Sequence, residues 1–128
     1  MHALLADGIE RASQDDVLLP LAERIELMAG DAARAIPTLA EAPMVVLIDP
    51  MFPDRKSSAM VRKEMRLVRR VVGDDDDAPA LLDVALCHAT DRVVVRRPRG
   101  AHPLPHDRSP DLTVGGRRTR FDVYLTRS

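Results

Sequence analysis

Aromatic side chains are almost missing from this chain: its 128 residues include two phenylalanines, one tyrosine and no tryptophan. The core must therefore be aliphatic, and an aromatic placed in a turn stands out. A single cysteine, Cys87, excludes an internal disulfide and any cysteine-based zinc site. No apolar run approaches the roughly 18 residues that a membrane span requires. The start at Met1-His2 has neither a basic region nor a signal-type apolar stretch. A cytoplasmic protein that makes no membrane contact is expected. Lysine is scarce too, at Lys56 and Lys63 alone, so the positive charge is carried by arginine.

That charge is unevenly spread. Residues 1–53 hold three arginines against nine acids, whereas residues 54–128 hold sixteen basic residues against eleven acids. A net charge of −1 thus conceals an acidic first part and a basic second part. A basic half suits a polyanionic partner, and it equally suits a solvated arginine-rich surface. At this length the chain is one domain at most, long enough to bury a core.

The stretch with the most chemistry is Met44-Val45-Val46-Leu47-Ile48-Asp49-Pro50-Met51-Phe52-Pro53. Its apolar, β-branched start predicts a parallel strand buried on both faces. Asp49 and two prolines end that strand, because proline has no N–H to give a ladder. An acid and an aromatic then lie just beyond a strand's carboxyl end, where open α/β sheets bind ligands. A plain strand-ending turn whose aspartate caps the next element is the other reading.

Around this turn the pattern alternates between helix and strand. Leu4, Leu5, Ile9 and Ala12 share one face of a helix over 3–13. Residues 24–29 alternate as a strand, and Asp31 can cap a helix over 32–40 that Pro43 stops. The spacing of Val61, Met65, Val68 and Val72 predicts a helix over 59–72 whose other faces are basic. Asp74 to Asp77 form a solvated run, the last of them capping a helix over 78–89 with Pro79 in its first turn. A contiguous acidic run lacks ligand spacing, so no metal is expected. Residues 92–98 form another strand buried in its middle. His102 and His106 sit in a proline-broken loop and are read as solvent residues. Residues 112–114 and 120–125 form a terminal hairpin about Gly115-Gly116.

This order resembles the back half of a class I S-adenosylmethionine-dependent methyltransferase. The turn Asp49-Pro50-Met51-Phe52-Pro53 is similar to the D/N-P-P-Y/F turn of enzymes that methylate exocyclic amino groups. Together with Lys56-Ser57-Ser58-Ala59-Met60-Val61-Arg62-Lys63-Glu64-Met65-Arg66, the RVVVRRP strand and the RTRFDVY strand, it resembles the RsmJ family. The helix Leu4 to Ala12 is similar to the corresponding helix of that family. Its members methylate the guanine N2 amino group in small-subunit ribosomal RNA.

The resemblance implies a Rossmann-like α/β sheet, incomplete at its N-terminal half and ending in an antiparallel hairpin, in one partial domain over 1–128. It implies S-adenosylmethionine as cofactor, with Asp31, Ala32 and Asp49 at the cofactor. Asp49, Pro50 and Phe52 would be catalytic, and Lys56, Arg62, Lys63, Arg66, Arg96 and Arg97 would bind RNA. The family's glycine-rich cofactor loop and its ribose-holding acid have no counterpart here, since no G-x-G precedes a helix. The first two strands are accordingly expected to be absent, and the chain alone inactive, a truncated form or one partnered by an N-terminal half. Two other readings are another amino-methyltransferase, acting on DNA or a protein amide, and a non-catalytic RNA-binding fragment.

Overall fold

The computed structural model describes residues 1–50 and 77–127. Phe52, Lys56, Arg62, Lys63 and Arg66, the helix expected over 59–72 and the aspartates at 74–76 lie outside the described residues. Two compact units are present, Met1–Asp31 and Ala32–Ser128, where the sequence reading treats the whole as one partial domain.

The first unit holds helix α1 (His2–Ser13) and the short α2 (Leu19–Ala22). Asp15 sets the turn between them: its Oδ1 accepts the amides of Val17 at 2.8 Å and Leu18 at 3.1 Å. An aspartate bonding the backbone two and three residues on is what ends one helix and aims the next. Pro20 then sits in the first turn of α2, where its missing N–H costs nothing. The apolar face of α1 meets Leu18, Leu21 and Ile25 around a hollow of about 260 Å³. The strand expected over 24–29 does not form: these residues are irregular. Apolar alternation alone does not make a strand, because a ladder needs a neighbour, and none pairs with them among the described residues. Gly30 ends the segment at φ 125°, a left-handed conformation open to glycine.

The second unit is a four-stranded sheet with helix packed on one face. Its strands are β1 (Val45–Ile48), β2 (Arg92–Pro98), β3 (Leu112–Gly115) and β4 (Thr119–Leu125), in spatial order β1-β2-β4-β3. β1 and β2 are parallel, with Val46 opposite Val93 and Ile48 opposite Val95. β2 and β4 are antiparallel, as are β3 and β4. Gly116 closes the hairpin because a Cβ there would lie 3.0 Å from the Thr119 carbonyl oxygen, the atom its own amide bonds. Ahead of β1, α3 (Ala32–Ala35) and a 3-10 turn (Ile36–Thr38) replace the longer helix expected over 32–40. Pro37 lies within that 3-10 turn.

Helix α4 (Ala78–His88) covers the sheet much as its sequence indicates, with Pro79 in the first turn. Leu82, Ala85 and Ala89 are buried, and Leu81 and Leu86 are partly so. Asp77 precedes the helix but makes no side-chain cap, contrary to expectation. Leu82 packs with Ile48, Val93, Val95 and Tyr124, each fully or nearly removed from water. Burial of that kind contributes roughly 1.5–3 kcal/mol per large aliphatic side chain.

Burial on both faces of β1, expected from its unbroken apolar run, is not what the structure shows. Ile48 is buried, while Val45 and Leu47 are exposed. The two sets alternate, so Val46 and Ile48 face α4, and Val45, Leu47 and Asp49 face away. No strand pairs with the outer edge of β1 among the described residues. An apolar strand ending a sheet in this way is a template for another strand.

Candidate active site

The alternation that places Ile48 against α4 turns the next side chain, Asp49, to the other face. The same alternation on β2 puts Val93, Val95 and Arg97 toward α4, and Val94 and Arg96 away from it. Parallel register continues past Ile48 opposite Val95, which makes Asp49 and Arg96 neighbours. Arg96 Nη1 donates to Asp49 Oδ2 at 2.9 Å. Asp49 Oδ1 makes no hydrogen bond among the described residues. Pro50 follows in a half-buried position and restrains Asp49 to extended backbone. A carboxylate thus stands at a strand's carboxyl end with one oxygen anchored and the other available to a donor.

Arg97 occupies a different environment from Arg96. It is 8% exposed, and its Nε and Nη2 both donate to the His102 carbonyl. Arg97, expected to bind RNA, is thus largely buried here, where it ties the loop over 99–111 to β2. The signal was present in the sequence, since Arg97 shares the period-two face of Val93 and Val95. Across the ladder Arg97 faces Arg120. Asp122, 1% exposed, neutralises Arg120 by taking its Nε on Oδ1 at 2.9 Å and its Nη2 on Oδ2 at 3.1 Å. Thr113 Oγ1 adds a bond to Asp122 at 3.2 Å. Sequence reasoning missed this cluster, although two residues apart on one strand means the same face.

The loop itself carries a second correction. His106 is not a solvent residue: its Nε2 lies 2.8 Å from Asp83 Oδ1 on α4, and its Nδ1 accepts the Arg108 amide at 2.9 Å. Because Nδ1 accepts, Nε2 bears the proton given to Asp83. Asp111 fastens the end of the loop. The Leu125 amide bonds its Oδ2 at 2.7 Å and holds its carboxyl below the usual carboxylate range against a smaller opposing effect of burial, with Arg108 helping. Burial raises the Tyr124 phenol above its ordinary value, and the Asp122 carboxylate adds to this. Arg108 and Asp111 thus tie the loop to Leu125, which pairs with Arg92 at the amino end of β2, away from Asp49.

Of the residues expected at the cofactor, Ala32 opens α3 with its side chain exposed, and Asp31, also exposed, closes the first unit. Among the described residues, no group of three or more His, Cys, Asp or Glu could hold a metal ion. No helix among them is long and apolar enough to cross a membrane.

Comparison with known proteins places this geometry. A family described as putative SAM-dependent methyltransferase matches residues 1–126. The ribosomal RNA small subunit methyltransferase J of Pseudomonas paraeruginosa is 51% identical over 123 residues, covering 95% of this chain and 47% of that protein. Its namesake in Thioalkalivibrio sulfidiphilus is 50% identical over 126 residues, covering 97% and 49%. The crystal structure of a SAM-dependent methyltransferase from Neisseria gonorrhoeae matches with a TM-score of 0.75 at 38% identity, over 98% of this chain and 48% of that one. The chain spans about half the length of the curated relatives it matches. With its residues 1–126 matched by the family and its fold shared with a solved member over nearly its whole length, the chain belongs to the SAM-dependent methyltransferase family.

Proposed function

We propose that this chain forms the substrate side of an S-adenosylmethionine-dependent methyltransferase that modifies the exocyclic N2 amine of a guanine in small-subunit ribosomal RNA. The observation that carries the reading is Asp49, held by Arg96 through Oδ2 and with no bond to Oδ1 among the described residues, at the end of a strand in a methyltransferase sheet. The choice of ribosomal RNA rests on what the relatives are named for.

A guanine N2 lone pair is delocalised into the ring and is a weak nucleophile. Asp49 Oδ1 and the Pro50 carbonyl would accept the two amine hydrogens, which favours a pyramidal nitrogen whose lone pair is localised and directed at the incoming methyl. This is catalysis by position and by preorganised acceptors, and it needs no covalent enzyme intermediate. Phe52 would stack on the base, which must be unpaired or flipped out. Lys56, Arg62, Lys63 and Arg66 would hold phosphates, contacts that place the RNA without reading it.

The residues present fit the reacting end of the cofactor and little else. S-adenosylmethionine, when bound, supplies an electrophilic methyl on a sulfonium. Small, exposed Ala32 and the neighbouring Asp31 suit the edge of the adenosine, and the methionine and ribose ends find no glycine loop or matching acid in this sequence. A cofactor-binding half of the domain as partner fits this distribution, and a ribosomal RNA substrate, taken from the names of the relatives, fits action in the cytoplasm.

The test joins the chain to the remaining segment of the Pseudomonas paraeruginosa protein and supplies bacterial small-subunit RNA. Nucleoside analysis should show N2-methylguanosine. Methyl groups on adenine, cytosine or protein in its place overturn the substrate assignment.

A further inference from the structure

We infer that Arg96 is a positioning residue for Asp49 and not a phosphate ligand. The inference rests on Asp49 being the acceptor of the amine. Arg96 is built into the sheet on both sides: its own residue pairs with Phe121 of β4, and the preceding Val95 pairs with Ile48 of β1. Asp49, by contrast, lies one residue beyond the last ladder pair of β1, and its carboxylate is free to rotate about two side-chain bonds. The hydrogen bond from Arg96 Nη1 removes that freedom and leaves Oδ1 as the oxygen presented to substrate.

The pair is a poor device for stability. The Arg96 and Asp49 side chains are 47% and 53% exposed, and ion pairs in that setting add little to folding. Its effect lies in geometry, at a carboxylate whose direction decides where the amine lone pair points. A phosphate bound to Arg96 would compete with Asp49 for the same guanidinium and loosen the acceptor when it is needed. Arg97 cannot substitute, being tied to the His102 carbonyl on the opposite face.

The experiment has two arms. In the 128-residue chain, the side-chain nitrogen resonances of Arg96 should report a restrained guanidinium that becomes free in Asp49→Asn. In the active enzyme joined to the relative's remaining segment, Arg96→Gln should slow single-turnover methylation by about 10–100-fold, the scale of an ångström-level misplacement. RNA affinity and its salt dependence should stay unchanged. Arg96→Gln should add nothing in an Asp49→Asn background, since residues acting through one contact are not additive. A drop of about one in the salt slope with an unchanged rate at saturating RNA makes Arg96 a phosphate ligand and overturns the inference. A slow Asp49→Asn beside a normal Arg96→Gln overturns this inference alone. Normal rates in both overturn the reading of Asp49 as well.

Discussion

Asp122→Ala should be the most damaging single change at the carboxyl end of β2, although Asp122 touches no substrate. The carboxylate is 1% exposed and receives both Arg120 Nε and Arg120 Nη2, whose side chain is itself only 16% exposed. Truncation leaves a largely buried guanidinium with one long bond, to the Arg99 carbonyl at 3.4 Å. Arg120 pairs with Arg97 across the ladder, so the charge left by the truncation has a second arginine as its neighbour. Removing one partner of a buried pair costs about 3–5 kcal/mol. At about 4–8 °C per kcal/mol for a unit of this size, Tm should fall by on the order of 12 °C or more. Asp122→Asn keeps hydrogen-bonding atoms and should cost less, about 1.5–3 kcal/mol. Thermal unfolding by circular dichroism, with urea titration beside it, reads the difference. The double variant Asp122→Ala/Arg120→Ala should recover part of the loss, since it removes the stranded charge. A single variant within 1 kcal/mol of the parent, or a double variant no better than the single, refutes the reasoning.

Other outcomes follow from the same contacts. Asp111 has its folded pKa held below the ordinary 3.8, so its contribution to stability is present above that pH and is lost as pH falls through the folded value. Asp111→Asn should flatten the acid limb of a stability–pH curve, and an unchanged limb removes Asp111 from the account. Tyr124 is fully buried and its hydroxyl has no hydrogen-bond partner among the described residues, so Tyr124→Phe should leave neutral-pH stability unchanged or raise it by up to about 1 kcal/mol. Because the phenol is raised above 10.0, its contribution is lost as pH climbs past that value, and the Phe variant should lack this alkaline loss. Calorimetry on the 128-residue chain should detect weak or no S-adenosylmethionine binding, and tight binding contradicts the reading that the glycine loop must come from elsewhere.

How much of this could be read in the sequence depended on where each signal resides. α4 and β2 were legible almost to the residue, because periodicity, Pro79 and Pro98 are local facts. The hairpin was legible from Gly115-Gly116. The lack of a strand over 24–29 was not, because a ladder is a property of two segments and only one was in view. The one-sided burial of β1 was hidden for the same reason: Val45 and Leu47 are as apolar as Ile48, and only the placement of α4 tells them apart. At the candidate site, the place of Asp49 just past the end of β1 was legible from the proline turn. Its bond to Arg96 was not, since parallel register across 47 residues cannot be read from either strand alone. Arg97 and Asp122 are readable in principle from alternation, although the resemblance points Arg97 toward RNA and nothing local marks Asp122 as the partner of Arg120.

The central claim is that the free oxygen of Asp49 accepts the amine that is methylated, and single-turnover methylation by Asp49→Ala tests it most directly. The enzyme used should be the chain joined to the relative's remaining segment, with RNA and cofactor saturating. The account predicts a loss of about 10²–10³-fold, the size seen when one preorganised hydrogen-bonding group is removed from a reacting centre. RNA affinity should be nearly unchanged, because the carboxylate does not hold the backbone. A rate close to the parent's, or a loss that follows weakened RNA binding alone, contradicts the account.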